Sequence, residues 1–223
     1  MFGRNPKRKP IVKYNGSLFL KEIVATFQGE GPFVGRPAIF IRLGGCNLSC
    51  EFCDTDFEDF LSAKTSNILL EVEEKSVCKG KKINLVVITG GEPLRQPIED
   101  LCDQLLDLGY EVQIETNGTL HRKLNKKVHI VCSPKVVNKE YLKIHPLLLP
   151  NVTAFKFLVS TKVEGYNDIP SYAKSFNQDM VYLQPMDEID ESKNRENMLH
   201  TLRLANKYGF NLCLQTHKIW GIY

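Results

Sequence analysis

The sequence lacks any apolar run approaching the roughly 18 residues that a membrane-spanning helix needs, and its opening residues lack the apolar stretch of a secretory signal. Both absences point to a soluble, cytoplasmic protein. Internal repeats and low-complexity tracts are missing too, which excludes solenoids and disordered linkers. Charge of one sign is scarce: the formal net charge is only +3. Much of that excess lies in a short N-terminal arm with Arg4, Lys7, Arg8, Lys9 and Lys13. Such an arm reads as a solvated, flexible tail over residues 1–16, so a nucleic-acid partner is not expected. Paired cysteines are also missing. The seven cysteines are an odd number, and Cys78, Cys102, Cys132 and Cys213 stand apart with no second C-x2-C among them. A disulfide framework is thereby excluded, and clustered thiols point to metal or catalysis. Cys102, on an apolar helix face, reads as core.

What is present is enough for one real core, with 43% hydrophobic and 25% charged residues. Residues 17–223 read as a single domain in which strand-like and helix-like segments alternate. Ala38–Leu43, Ile83–Ile88, Glu111–Glu115, Val128–Cys132, Phe155–Val159, Val181–Leu183 and Asn211–Gln215 are short apolar strand candidates. Thr65–Val77 and Ile98–Leu108 carry helical spacing, the second stopped by Gly109. A third helix is capped by Ser192 and runs to about Tyr208, with Met198, Leu199, Leu202 and Ala205 as its apolar face. Alternation of this kind predicts an α/β fold with a parallel sheet. A closed eight-unit barrel needs about 250 residues, so a partial, open TIM-like barrel of about six to seven mainly parallel strands is expected.

The polar clusters all follow strands. They are Cys46–Thr55, Thr89-Gly-Gly91-Glu92-Pro93, Glu115-Thr-Asn-Gly118, Ser133-Pro134-Lys135, Gln184-Pro185-Met186-Asp187 and Gln215-Thr-His217-Lys218. In a parallel barrel these ends share one rim, where active sites are built. Lys156, within a strand, is a further polar candidate.

The segment Cys46-Asn-Leu-Ser-Cys50-Glu-Phe52-Cys53 has a C-x3-C-x2-C spacing. Thiolates hold iron–sulfur clusters and zinc, and structural sites of both kinds usually want four ligands. Three thiolates on a four-iron cube leave one iron open, and an open metal position is what catalysis requires. S-adenosylmethionine, with its amine and carboxylate, could chelate that iron. The competing reading is zinc with Cys78 or His217 as a distant fourth ligand. The triplet, with an aromatic residue just before its third cysteine, and the later Gly90-Gly91-Glu92-Pro93 resemble the two signatures of the radical S-adenosylmethionine superfamily. The segments Glu22–Gly31, Gly35–Pro37, Phe40–Arg42, Gly45–Asn47 and Cys53–Thr55 resemble, more narrowly, the 7-carboxy-7-deazaguanine synthase family. That resemblance runs from about Ser17 to Tyr223.

The resemblance implies a radical ring contraction of 6-carboxy-5,6,7,8-tetrahydropterin to 7-carboxy-7-deazaguanine with release of ammonia, feeding queuosine-type 7-deazapurines. It implies a 4Fe-4S cluster on Cys46, Cys50 and Cys53, S-adenosylmethionine as a regenerated cofactor, and Mg2+ at Thr55. It also implies a homodimer and a reduced flavodoxin or ferredoxin type electron donor. The cofactor is expected near Phe52, Asp54, Gly91, Glu92, Ser133, Pro134, Lys135, Gln184, Pro185, Met186 and Asp187. The substrate is expected near Phe27, Gln28, Gly29, Glu30, Arg42, Thr89 and His217, with the backbone carboxylate of Tyr223 closing over it. Arg42 suits the substrate carboxylate because its guanidinium is a fixed fork. Gln28 and Glu30 suit the pterin edge. Phe52 stands where the family often has tryptophan, and Phe27 where a small or aliphatic residue is common. A glycyl-radical-enzyme activase would share the cysteine loop but lacks the Gln-Gly-Glu-Gly segment. A non-catalytic redox sensor would have no use for the Gly-Gly-Glu-Pro segment.

Overall fold

Residues along each strand alternate between two environments, and this alternation sets the architecture. A computed structural model describes residues 5–78 and 80–222. Strands β1 (Ser17–Phe27), β2 (Pro37–Leu43), β3 (Leu61–Lys64), β4 (Leu85–Gly90), β5 (Glu111–Thr116), β6 (His129–Cys132), β7 (Ala154–Val159), β8 (Val181–Pro185) and β9 (Asn211–Leu212) form one sheet. Its nine strands run in the order β9-β8-β7-β6-β5-β4-β2-β1-β3. From β2 through β9 the neighbours are parallel, whereas β1 pairs antiparallel with both β2 and β3. The edge strands do not pair with each other among the described residues, so the barrel is open, as the strand spacing implied.

On β2, Ile39, Ile41 and Leu43 are fully buried beneath the helices α1 (Thr65–Ser76) and α2 (Glu99–Asp107), in the main core with Ile88, Ile114 and Phe157. The alternate residues Ala38 and Phe40 turn inward. With Leu85, Val87 and Phe33 they form a second, smaller apolar cluster that plugs the lower lumen. Toward the carboxyl ends the inward positions become polar: Arg42, Thr89, Glu115, Lys156 and Gln184. The period-two alternation thus separates a structural face from a chemical one.

Several elements depart from the sequence expectation. The strand β1 and the short β3 were not foreseen. Helix α3 (Glu191–Tyr208) starts at the cap Asp190, whose carboxylate accepts from Lys193 N at 3.0 Å, rather than at Ser192. Its inner face is Asn197, Thr201, Leu204 and Ala205, while Met198, Leu199 and Leu202 are exposed. Asn197 explains the rotation. Its side chain accepts from Thr161 N (2.8 Å) and donates to Met186 O (3.0 Å) and Glu188 (2.8 Å), so a polar residue is fully satisfied inside. The segment after β9 is not a continuing strand to Gln215 but a short helix, α4 (Thr216–Trp220).

A free tail was expected over residues 1–16, of which 1–4 lie outside the described residues; from Asn5 onward the arm is packed on the domain. Arg8 N donates to Cys46 O (2.7 Å), Ile11 N to Arg95 O (2.7 Å) and Arg122 to Ile11 O (2.6 Å). Arg8 pairs with Glu58, and Tyr14 bonds Asp100. Backbone hydrogen bonds hold this segment together with the Arg8–Glu58 pair, and composition does not reveal either. No helix among the described residues is long and apolar enough to cross a membrane.

Candidate active site

The loop after β2 carries Cys46, Cys50 and Cys53, and its root is built by close backbone approach. Gly91 N donates to Leu43 O and Glu92 N to Gly45 O, each at 3.1 Å. A Cβ at Gly91 would lie 2.2 Å from Gly45 O, so only glycine lets the two loops meet. Arg95, almost wholly buried, donates to Gly44 O (2.9 Å) and Lys9 O (3.1 Å), tying the arm to the same root. Amide donors point at the sulfurs: Leu48 N lies 3.4 Å from Cys46 Sγ, and Asn5 Nδ2 lies 3.9 Å from Cys53 Sγ. Asn117 Nδ2, 3.9 Å from Cys46 Sγ, is held by Asn47 Oδ1 at 2.9 Å.

The three cysteines open on a cavity of about 660 Å³ formed by the carboxyl ends of the strands. Phe27, Gln28, Gly29, Glu30, Arg42, Thr89 and His217 line it. So do Phe52, Asp54, Thr55, Gly91, Ser133, Lys135, Gln184, Met186 and Asp187. Glu92, Pro134 and Pro185 do not. Glu92 is fully buried, its carboxylate accepting from Leu94 N (2.9 Å), Thr116 Oγ1 (2.7 Å) and Asn117 N (2.7 Å). Burial raises its pKa and these donors work against the rise. In this geometry Glu92 braces the rim instead of facing a ligand. Tyr223 lies outside the described residues.

One side of the cavity is a buried charge network. Lys156 is nine-tenths buried and pairs with Glu30 and, at 3.4 Å, with Glu115. Gln215 donates to Glu30 (2.8 Å), and Gln28 and Gln113 donate to Glu115 (2.9 and 3.1 Å). The Gln28 carbonyl accepts from Glu30 N at 3.1 Å. Both ends of the Gln28 amide are thus committed within the protein. The Gln28 side chain holds Glu115 and also lines the cavity where the substrate is expected. Burial alone would raise the Glu30 carboxyl, but the Lys156 ammonium overrides it and holds it below the usual carboxylate range.

Across the cavity Arg42 donates from Nε to Glu22 at 2.7 Å. Among the described residues its two terminal nitrogens meet no protein acceptor, so the end of the fork is free. Lys135, half-buried, donates to Ser133 Oγ at 2.6 Å, and desolvation lowers its pKa. The ring of Phe52 is set edge-on to Tyr166 at 5.3 Å. Helix α4 covers the mouth. Thr216 N bonds Gly29 O (3.0 Å), and a Cβ on Gly29 would meet the His217 ring at 2.2 Å. Lys218 bridges Asp54 (2.7 Å) and Asp187 (2.8 Å), joining the cysteine loop to the end of β8. Burial would raise Asp187, but the Lys218 hydrogen bond and its other donors hold it at about 2.

Residues 40–147 match the radical SAM superfamily. Over its full length the chain is 51% identical to a 7-carboxy-7-deazaguanine synthase of Rickettsia prowazekii, spanning 96% of that protein. The chain belongs to the 7-carboxy-7-deazaguanine synthase family. A family member from Rhodospirillum rubrum is 37% identical with all of both chains covered. The crystal structure of QueE from Escherichia coli matches with a TM-score of 0.72 at 25% identity, covering 90% of this chain and 94% of that one. Membership of this radical SAM family carries with it a 4Fe-4S cluster and S-adenosylmethionine.

The residues present fit that pair. Burial pushes the Cys46 thiol up to about 12, so three ionised thiolates here need metal cations to balance them. The amide donors aimed at Cys46 and Cys53 suit sulfur that carries negative charge. Among the described residues no three His, Cys, Asp or Glu side chains converge as a single ion would require.

A first expected result tests the loop root. Gly91→Ala places a methyl against backbone rather than against a side chain that can turn away. It should cost about 1–3 kcal/mol, the usual penalty of overpacking, and lower iron content after reconstitution. Gly29→Ala meets only the His217 ring and should leave iron content unchanged. Equal iron in both variants would show that the close approach at Gly91 is dispensable.

Proposed function

We propose that this protein converts 6-carboxy-5,6,7,8-tetrahydropterin to 7-carboxy-7-deazaguanine with release of ammonia. The observation that carries this reading is that one cavity brings the cysteine loop, the free fork of Arg42 and the Glu30–Glu115 carboxylates together. When bound, the reduced cluster and S-adenosylmethionine supply a carbon-centred radical that takes one hydrogen atom from the substrate and later returns it. Cys46, Cys50 and Cys53 would hold the cluster and leave one iron for the amine and carboxylate of S-adenosylmethionine. Lys135 and Ser133, with Phe52, Asp54, Gly91, Gln184, Met186 and Asp187, bound the cofactor's share of the cavity. The terminal nitrogens of Arg42 pair with the substrate carboxylate, and the carboxylates opposite accept from the amine and amide donors of the pterin. Helix α4 contributes His217 and Lys218 to the same lining.

The finer parts of the reading follow the same residues. Thr55 lines the cavity beside the cysteines and its hydroxyl is 3.3 Å from Asp54, a position from which it could hold Mg2+ together with substrate oxygens. The exposed Met198, Leu199 and Leu202 of α3 support a homodimer. A flavodoxin or ferredoxin type donor in the cytoplasm suits a cluster that must be reduced before each use.

The test is anaerobic incubation with dithionite, S-adenosylmethionine, Mg2+ and the carboxypterin. The expected result is 7-carboxy-7-deazaguanine in excess over the S-adenosylmethionine consumed, at a lower rate without Mg2+. Formation of 5′-deoxyadenosine with no deazaguanine product would overturn the substrate assignment. Dependence on an added protein substrate would favour an activase.

A further inference from the structure

The lumen of a parallel barrel is ordinarily filled by apolar layers, and here the lower lumen is so filled by Ala38, Phe40, Leu85 and Val87. One layer above, Lys156 on β7 and Glu115 on β5 project into the same lumen, and Glu30 enters from the loop after β1. A buried ion pair is weak evidence for stability, since apolar replacements of similar volume often do as well. An ammonium between two carboxylates beside the substrate cavity therefore calls for a role other than holding the fold.

We propose that Lys156 is a positioning residue that clamps Glu30 and Glu115 side by side as an acceptor pair for the donor–donor edge of a 2-aminopyrimidinone ring. This rests on the pterin reading above and specifies which feature of the pterin is selected. Two adjacent carboxylates left to themselves repel, and burial drives one of them to take a proton. A protonated carboxyl would present a donor to a donor and lose the edge. The ammonium between them prevents this. Glu115 keeps the spare capacity: its second oxygen meets only Lys156, at 3.4 Å, while Gln28 and Gln113 fix the first. Gln113, fully buried behind the cavity lining, holds that first oxygen in place and leaves the second as the acceptor that faces the cavity side of the pair. A ring with an amine and an adjacent ring N–H matches that pair, and one lacking the amine leaves a buried carboxylate unpaired. The other charged or titratable groups acting on the triad are His217, Lys135 and Cys213.

The experiment uses reconstituted protein and calorimetric binding of two probes, 7-carboxy-7-deazaguanine and its 2-deamino analogue, beside turnover of the carboxypterin. Lys156→Met keeps the length and removes the charge. It should weaken the aminated probe roughly tenfold or more and leave the already weak deamino analogue unchanged. It should raise KM far more than it lowers kcat, and move the acid limb of kcat/KM to higher pH because the carboxylates lose their cation. Lys156→Arg should recover part of the affinity. Should Lys156→Met fold poorly, Lys156→Met/Glu30→Gln removes the stranded buried carboxylate, and it should fold yet still fail to discriminate the amine. Unchanged discrimination and an unchanged acid limb in either folded variant would overturn the clamp. If the wild-type protein binds neither probe while cleaving S-adenosylmethionine, the pterin reading itself fails.

Discussion

Replacing Cys46, Cys50 or Cys53 by Ala is expected to give a folded protein that holds no intact cluster and cleaves no S-adenosylmethionine. The three thiols are the only clustered cysteines, and an iron cube held by two of them has lost one of its protein bonds. Wild-type protein reconstituted anaerobically should carry about four irons per chain, the stoichiometry of this cluster type. The fold should survive the loss, because Cys50 and Cys53 are partly exposed and the loop root is held by the Gly90–Gly91 backbone and by Arg95. The controls are Cys102→Ala and Cys213→Ala. Cys102 is fully buried in the main core, and truncating it should cost on the order of 1 kcal/mol with iron retained. Cys213 accepts from Gly31 N and donates to Gln184, with no contact to the three clustered thiols, so its loss should leave iron in place. Iron analysis and thermal midpoints separate these outcomes. A full cluster in any variant of the triad, or none in either control, would falsify the ligand assignment.

The second large effect belongs to Arg42. Arg42→Ala should lower carboxypterin affinity at least tenfold, since a charge-assisted pair in a closed site is worth about 2–5 kcal/mol. Arg42→Lys should not rescue it. An ammonium offers no planar fork, and Glu22 would compete for its single charge. Fold stability should change little, because the Glu22 side chain left behind is about half exposed, at 49%. Cleavage of S-adenosylmethionine without substrate should persist, which distinguishes a lost substrate clamp from a damaged cluster site. Unaltered affinity in Arg42→Ala would remove the clamp.

The elements that the sequence disclosed were those written in local pattern. The parallel strands alternate apolar residues densely enough to be read, and the polar clusters after them lie on one rim because parallel strands end on one side. What stayed hidden depends on distant partners. Asn197 was absent from the apolar face expected for its helix because nothing local shows that Thr161, Met186 and Glu188 satisfy it. Glu92 looked like a ligand contact because its motif names a carboxylate, but not the hydrogen bonds from Thr116 and Asn117 that turn it into the rim. Lys218 carried no signal as a bridge, since Asp54 and Asp187 are 164 and 31 residues away. The packing of the arm on the cysteine loop rests on backbone groups that every residue carries and on side-chain partners 50 residues away, such as Asn5 with Thr55 and Arg8 with Glu58.

The segment that closes over the cysteine loop is also among the farthest from it along the chain. Lys218 reaches Asp54 across 164 residues, and Gln215 reaches Glu30 across 185. Contacts of such separation carry the largest loop-closure entropy and form late. The loop itself is organised by nearer neighbours, such as Gly91 on Leu43 and Gly45. A newly made chain should therefore present its three thiols on a nearly finished barrel while the mouth still stands open. Iron and sulfide then have their widest access before α4 settles. Cluster delivery during folding should in consequence be faster than reconstitution of the finished apoprotein, and the difference should shrink when Lys218 can no longer fasten the mouth.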